Sequence, residues 1–297
     1  MPDKAIETIK TFGTITAELV VLFLLVAFLV ALIQRRIGEK RLQAWMEGGS
    51  IVAPLKGALL GSVTPFCSCS TLPMLMGMIK AGSPFTGAAA FLIASPLLNP
   101  IILGVIWILF SWEIMLGYAA VVLPLTIIIS LLWGKAGLER YVRRVKVSAE
   151  GHDDSPWQGL RREVRPAARQ SWSYFQPLMI PLLIGVSIGA VIYGVVPQSF
   201  LISVAGDGSI LAVPIAALIG IPLYIRTESI LPIGLALSSA GMGLGPVFAL
   251  VIGGAGASIP ELTMLSAIFK PRLVATFVGS VLAVAIAGGL IVPLFAS

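Results

Sequence analysis

Charge is scarce in this chain and unevenly spread. Asp, Glu, Lys and Arg make up 11% of 297 residues, against about a quarter in a soluble domain, so water is excluded as the solvent for most of its surface. Between Ser50 and Trp133 the only charged residues are Lys56, Lys80 and Glu113. From Ser173 onward there are only Asp207, Arg226, Glu228, Glu261, Lys270 and Arg272. Cysteine and histidine are scarcer still. Cys67 and Cys69 stand one residue apart, a separation that strains a disulfide between them. As a pair they supply two ligands, short of the four of a structural zinc site. The single histidine, His152, lies in a charged segment. No histidine partner for a nucleophile occurs in an apolar stretch and no paired Asp motif exists, which argues against an intramembrane enzyme. The absence of a Gly-x-x-x-x-Gly-Lys-Ser/Thr loop argues against ATP drive from within this chain, and nothing implies a cofactor.

What is present is apolar: 57% hydrophobic residues and a mean hydropathy of +0.99. Long apolar runs separated by short charged segments are what a bilayer requires. The net charge of +6 falls in loops beside those runs, where it anchors against anionic lipid rather than binding nucleic acid. Leu19–Ile33 follows a mixed-charge segment without a small-residue cleavage site and is expected to remain as a helix.

Lys and Arg set the orientation. The loop with Arg35, Arg36, Lys40 and Arg41 and the segment with Arg140, Arg143, Arg144, Lys146, Arg161, Arg162, Arg165 and Arg169 are both expected to be cytoplasmic. An even number of crossings must then separate them. Pro84–Phe110 and Ile114–Trp133 are long enough to span, so Ser50–Ile79 must leave and return on one side. Pro65 divides that stretch into two short legs, which suit a re-entrant hairpin or a pair of short helices.

The chain also repeats itself. A shift of 159 positions aligns Ala58-Leu59-Leu60-Gly61 with Ala217-Leu218-Ile219-Gly220, Leu72-Pro73 with Leu231-Pro232, Ala81-Gly82 with Ala240-Gly241, and Phe110 with Phe269, without a gap. In the second half Tyr174–Val196 goes out, Ser209–Ala240 makes the matching hairpin, Gly245–Phe269 returns, and Leu273–Phe295 finishes outside. The halves are therefore expected to be inverted, as in many secondary transporters. The expected organisation is a first repeat at 1–134, a basic cytoplasmic linker at 135–172 and a second repeat at 173–297. The fold class is all-α integral membrane, with 8–10 helical membrane segments including six long helices.

Pro and Gly break the apolar runs at Thr64–Pro73, Ser95–Pro100, Pro222–Pro232 and Gly253–Pro260, the first pairing with the third and the second with the fourth. Broken helices within a membrane are tolerated where protein or a water-filled cavity surrounds them, and they offer helix-end dipoles to substrates. The rare polar residues fall at these breaks: Cys67, Ser68, Cys69 and Ser70 at one hairpin tip, Arg226, Thr227, Glu228 and Ser229 at the other, and Asn99 and Glu261 at the remaining two. Arg226 and Glu228 can neutralise each other as a structural pair. Glu261 has no sequence-local partner and is the better candidate to carry a proton, with Glu228 as the second. Cys67 and Cys69 are either small buried hydrophobes or soft ligands for Cu(I) and thiophilic species. Met74, Met76 and Met78 alternate on a helix and read mainly as packing.

The run Thr64-Pro65-Phe66-Cys67-Ser68-Cys69-Ser70 with Pro73, followed by Ala94-Ser95-Pro96-Leu97-Leu98-Asn99-Pro100, closely resembles the signature of the ArsP-type predicted permeases. The resemblance covers roughly Leu19 to the C-terminus. That family includes methylarsenite efflux permeases and relatives linked to copper and zinc export, so the resemblance implies a transporter in the inner membrane. Many relatives carry Gly where this chain has Ser70, and the second tip lacks cysteine, which excludes a symmetric four-thiol cage. The expectation is efflux of a soft thiophilic solute such as a trivalent methylated arsenical. Cys67 and Cys69 would ligate it, Ser68, Ser70, Asn99, Arg226 and Thr227 would shape the site, and Glu228 or Glu261 would couple transport to protons. A copper, zinc or sulfur-containing anion stays open as the cargo. The expected partners are the lipid bilayer and the small solute, and homo-oligomerisation stays open.

Overall fold

The computed structural model describes residues 20–21, 24–25, 27–32, 36, 44–46, 48–64, 68–143, 160–184, 187, 211–222 and 242–295. Everything regular in them is helical apart from one isolated bridge, Val142 to Phe269. The first half contributes α1 (Val52–Val63), α2 (Ser68–Lys80), α3 (Phe85–Leu97), α4 (Pro100–Leu109) and α5 (Trp112–Lys135). Within the expected linker, α6 begins at Leu160 and runs to Phe175. The second half contributes α7 (Ala212–Gly220), α8 (Leu244–Gly256), α9 (Ile259–Ile268) and α10 (Pro271–Ile291).

Local chemistry sets the helix ends. Asn99 and Ser111 cap α4 and α5, their side-chain oxygens accepting from the backbone N–H of Ile102 (2.8 Å) and Ile114 (3.2 Å), the usual work of an N-cap. Gly82, at φ 71°, closes α2 in the left-handed conformation glycine adopts freely, and Ser83 N–H reaches back to Met78 O (3.0 Å).

Among the described residues four helical stretches are long and apolar enough to cross a membrane: Phe85–Leu109, Trp112–Lys135, Leu244–Ile268 and Pro271–Phe295. They agree with the expected Pro84–Phe110, Ile114–Trp133, Gly245–Phe269 and Leu273–Phe295. The other two expected spans, Leu19–Ile33 and Tyr174–Val196, fall largely outside the described residues.

The duplication holds at the level of helix ends. The shift of 159 carries α3 onto α8 and α4 onto α9, each at both ends, and the start of α5 onto the start of α10. It also holds at the level of contacts. A Cβ on Gly61 of α1 would stand 3.0 Å from Ser95 N and 3.1 Å from Phe91 O. At the same repeat positions, a Cβ on Gly220 of α7 would stand 2.9 Å from Gly254 N and 2.5 Å from Leu250 O. Small residues thus bring α1 onto α3 and α7 onto α8 backbone to backbone, the packing that membranes favour where no hydrophobic force separates helix from lipid.

The two halves are inverted. Trp133, near the end of α5, donates through Nε1 to Ser280 Oγ (3.0 Å) near the middle of α10. At the opposite end Phe295 lies against Gly117, near the start of α5. The equivalent helices α5 and α10 therefore run antiparallel. Lys80, Arg143 and Ile268 share one end of the bundle, whereas Phe110 and Tyr118 pack on Phe248 toward the other. Gly57 and Gly61 of α1 meet Gly87 and Ser95 of α3 in parallel order, and α2 then returns to Lys80. The first hairpin accordingly enters and leaves at the same end, as its two short legs require.

The breaks are narrower than the proline pattern predicts. Helix α3 continues through Ser95 and Pro96, leaving Leu98–Asn99 as the interruption, and the second half is interrupted at Ala257–Ser258. Helix resumes at Ser68, so Pro73 lies inside α2 rather than at its boundary. Burial of Leu72 and Leu75 and packing of α2 on α3 offset the hydrogen bond that an internal proline removes.

Candidate functional site

At the first break side chains meet backbone groups that the interruption frees. Tyr118 of α5 donates its hydroxyl to the Leu97 carbonyl (2.8 Å). Pro100 opens α4 and brings no N–H to satisfy. Asn99 fills the Ile102 N–H as described above. Ser95 and Thr71, both fully buried, share a hydrogen bond between hydroxyls (3.0 Å). That bond ties the first turns of α2 to the last turn of α3, so the Cys-Ser-Cys-Ser run leads directly into a side chain anchored at the Ser-Pro-Leu-Leu-Asn-Pro break.

The second break repeats the layout with different chemistry. Ser258 stands at the N-cap of α9 and its carbonyl accepts from Leu262 N–H (2.9 Å). Glu261 is the third residue of α9 and 1% exposed, at the repeat position held by Ile102 in α4. A carboxylate in a first turn lies at the positive end of the helix dipole. The two breaks touch: a Cβ on Gly256 would stand 3.0 Å from Leu97 Cδ2 and 2.8 Å from Val281 Cγ1.

Helices α2 and α9 are in contact and both end at the basic end of the bundle. There a cavity of about 400 Å³ is lined by Met76, Ile79, Lys80, Glu139, Arg143 and Ile268, among others. The segment leaving α5 crosses this end as a clasp. Arg143 N–H donates to Ile268 O (2.7 Å) and Lys270 N–H to Tyr141 O (2.9 Å), while Arg272 Nη1 donates to Tyr141 Oη (3.2 Å). That hydrogen bond, and then the charge of Arg140, hold the Tyr141 phenol below its ordinary pKa.

Of the residues singled out in the sequence, Asn99 and Glu261 are found at the first and second breaks. Ser68, Cys69 and Ser70 form the first turn of α2. Cys67, Arg226, Thr227 and Glu228 lie outside the described residues, so the second hairpin tip and half of the proposed Cys67–Cys69 ligand pair do too. Met74, Met76 and Met78 are buried, as packing residues are, with Met76 also reaching the cavity. Thr71 and Tyr118 were not singled out. The available signal was a hydroxyl in an otherwise apolar helix, which must find an internal acceptor in lipid.

An all-helical chain of inverted halves, crossing a membrane several times and carrying paired interruptions in its spans, is a multi-pass membrane protein of the transporter class. The chain belongs to the ArsP_1 family, described as predicted permeases, which matches residues 5–294. It is 25% identical over 283 residues to UPF0718 protein YcgR of Bacillus subtilis, covering 95% of each chain. It is 27% identical over 252 residues to UPF0718 protein YraQ of Escherichia coli, covering 79% of this chain and 67% of the relative. It is 24% identical over 285 residues to UPF0718 protein MJ0584 of Methanocaldococcus jannaschii, covering 75% and 77%. No solved structure matches.

Proposed function

We propose that this membrane permease exports a soft, thiophilic small solute, with a trivalent methylated arsenical as the leading candidate, by proton-coupled secondary transport. The observation that carries the reading is the Thr71–Ser95 hydrogen bond, which fastens the helix bearing Cys69 to the break that holds Asn99. Cys67 and Cys69 act as thiolate ligands, suited to soft cargo. Asn99 and the hairpin residues Ser68, Ser70, Arg226 and Thr227 shape the pocket. Glu261 carries the coupling proton, with Glu228 as the alternative carrier. The end bearing Lys80, Arg143, Lys270 and Arg272 faces the cytoplasm across an inner membrane, in keeping with the distribution of Lys and Arg.

The test is a substrate panel in everted vesicles with and without a proton gradient: methylated arsenite, Cu(I), Zn(II) and thiosulfate. Cys67→Ser/Cys69→Ser should abolish uptake of the arsenical into the vesicles, and Glu261→Gln should leave solute binding while removing the response to the gradient. Thiosulfate movement that survives loss of both cysteines and fails in Arg226→Gln would replace this cargo with a sulfur-containing anion.

A further inference from the structure

Helix α6 is built unlike the spans. Its buried side carries Glu163, Ala167, Gln170 and Ser171, and Ser171 donates its hydroxyl to Leu24 O in the first apolar stretch (3.1 Å). Arg162, Arg165, Arg169 and Trp172 are exposed and follow one another at intervals of three, four and three. At 3.6 residues per turn these four fall within about a quarter turn of the helix, opposite the buried side. Glu163 is the acidic residue of this helix and it is turned inward, so no carboxylate of α6 itself lies on the outward line.

Position on the chain says what faces that line. Gln176–Leu178 continues α6, and beyond it Met179, Ile180, Leu183 and Ile184 are exposed. Four large apolar side chains turned outward require hydrocarbon around them. The arginine line therefore ends where the lipid-facing surface starts, with Trp172, 54% exposed, at the junction that indoles favour in membranes.

We infer that Arg162, Arg165, Arg169 and Trp172 form a docking line for the headgroups of anionic phospholipids. Each guanidinium carries a fixed positive charge that attracts phosphate oxygens at an anionic surface, and arginines one turn apart can engage neighbouring headgroups of a leaflet. Zwitterionic lipid carries its own cation beside the phosphate and gains less from a row of arginines. The recognition is independent of what the permease carries.

The test uses the full chain in detergent micelles, titrated with brominated phosphatidylglycerol or brominated phosphatidylcholine. The Trp172 signal is the quenching lost in Trp172→Phe. Phosphatidylglycerol should quench Trp172 at lower lipid concentration than phosphatidylcholine. Arg165→Gln/Arg169→Gln should raise the phosphatidylglycerol midpoint by roughly tenfold or more, given the attraction of each juxtamembrane cation to an anionic surface. Arg165→Lys/Arg169→Lys, which keeps the charge, should recover most of the preference and show that the helix is intact. Equal midpoints for the two lipids, or an unchanged midpoint in the glutamine variant, would overturn the assignment. So would loss of the preference in the lysine variant with the protein still helical and monodisperse. Because no solute is moved in this experiment, its outcome is separate from that of the transport assay.

Discussion

Leu97 and Gly256 occupy the same position of the two repeats, and they touch. Leu97 ends α3 and Gly256 ends α8, and a Cβ on the glycine would come within 3.0 Å of Leu97 Cδ2. Equivalent residues of two inverted halves can meet only beside the axis that relates the halves. The two interruptions therefore share one location, and the polar residues they carry are assembled from both halves. This geometry is that of transporters whose substrate site lies between repeats.

The closeness of backbone packing sets an order of sensitivity to added methyl groups. Gly220→Ala places a Cβ 2.5 Å from the Leu250 carbonyl oxygen, and Gly61→Ala places one 3.0 Å from Ser95 N. Nothing lies within 4 Å of a Cβ on Gly279. Thermal unfolding in detergent should show Gly220→Ala as the most destabilised, by about 1–3 kcal/mol, Gly61→Ala as less so, and Gly279→Ala as unchanged. An equal effect at Gly220 and Gly279 would contradict the packing.

Tyr118→Phe keeps the ring and removes the hydroxyl that meets the Leu97 carbonyl. An orphaned buried carbonyl costs about 1–3 kcal/mol, so the thermal midpoint should fall although the volume barely changes. A midpoint equal to that of the unaltered chain would show that the break does not depend on this bond.

Tyr141 should titrate below the ordinary tyrosine value, because Arg272 donates to its oxygen and Arg140 is close by. A depressed folded-state pKa means that the unfolded chain binds the proton more tightly. Stability from this contact then grows as pH rises from the folded value, and is complete above the unfolded value near 10. The tyrosinate absorbance lost in Tyr141→Phe should have its midpoint below that value, and Arg272→Gln should move it upward. A midpoint that ignores Arg272 would remove the clasp from the account.

Much of the architecture was legible because apolar length, Lys and Arg placement and an ungapped repeat each speak directly of a bilayer. The offset read from Leu72-Pro73 and Ala81-Gly82 fixes both ends of α8 and α9 from those of α3 and α4. Break widths were less legible. Proline forbids one hydrogen bond but not the helix around it, and tertiary burial of Leu72 and Leu75 decides the matter at Pro73. Helix α6 was missed for another reason: its arginines read as the charge of a loop between spans, although Leu160, Val164, Ala167 and Phe175 recur at helical spacing beside them. Of the site, Asn99 and Glu261 were visible as rare polar residues beside breaks. Thr71 and Tyr118 were not, since their roles depend on Ser95 and Leu97, more than twenty positions away in sequence.

The meeting of the two breaks is tested most directly by cross-linking in native membranes. Leu97→Cys/Gly256→Cys, in a chain also carrying Cys67→Ser/Cys69→Ser, is treated with a short bifunctional thiol reagent and then cleaved by a protease between the halves. The account predicts that the two fragments stay joined, whereas either single cysteine variant separates. Fragments that separate in the double variant, with both thiols shown to be labelled, would contradict it.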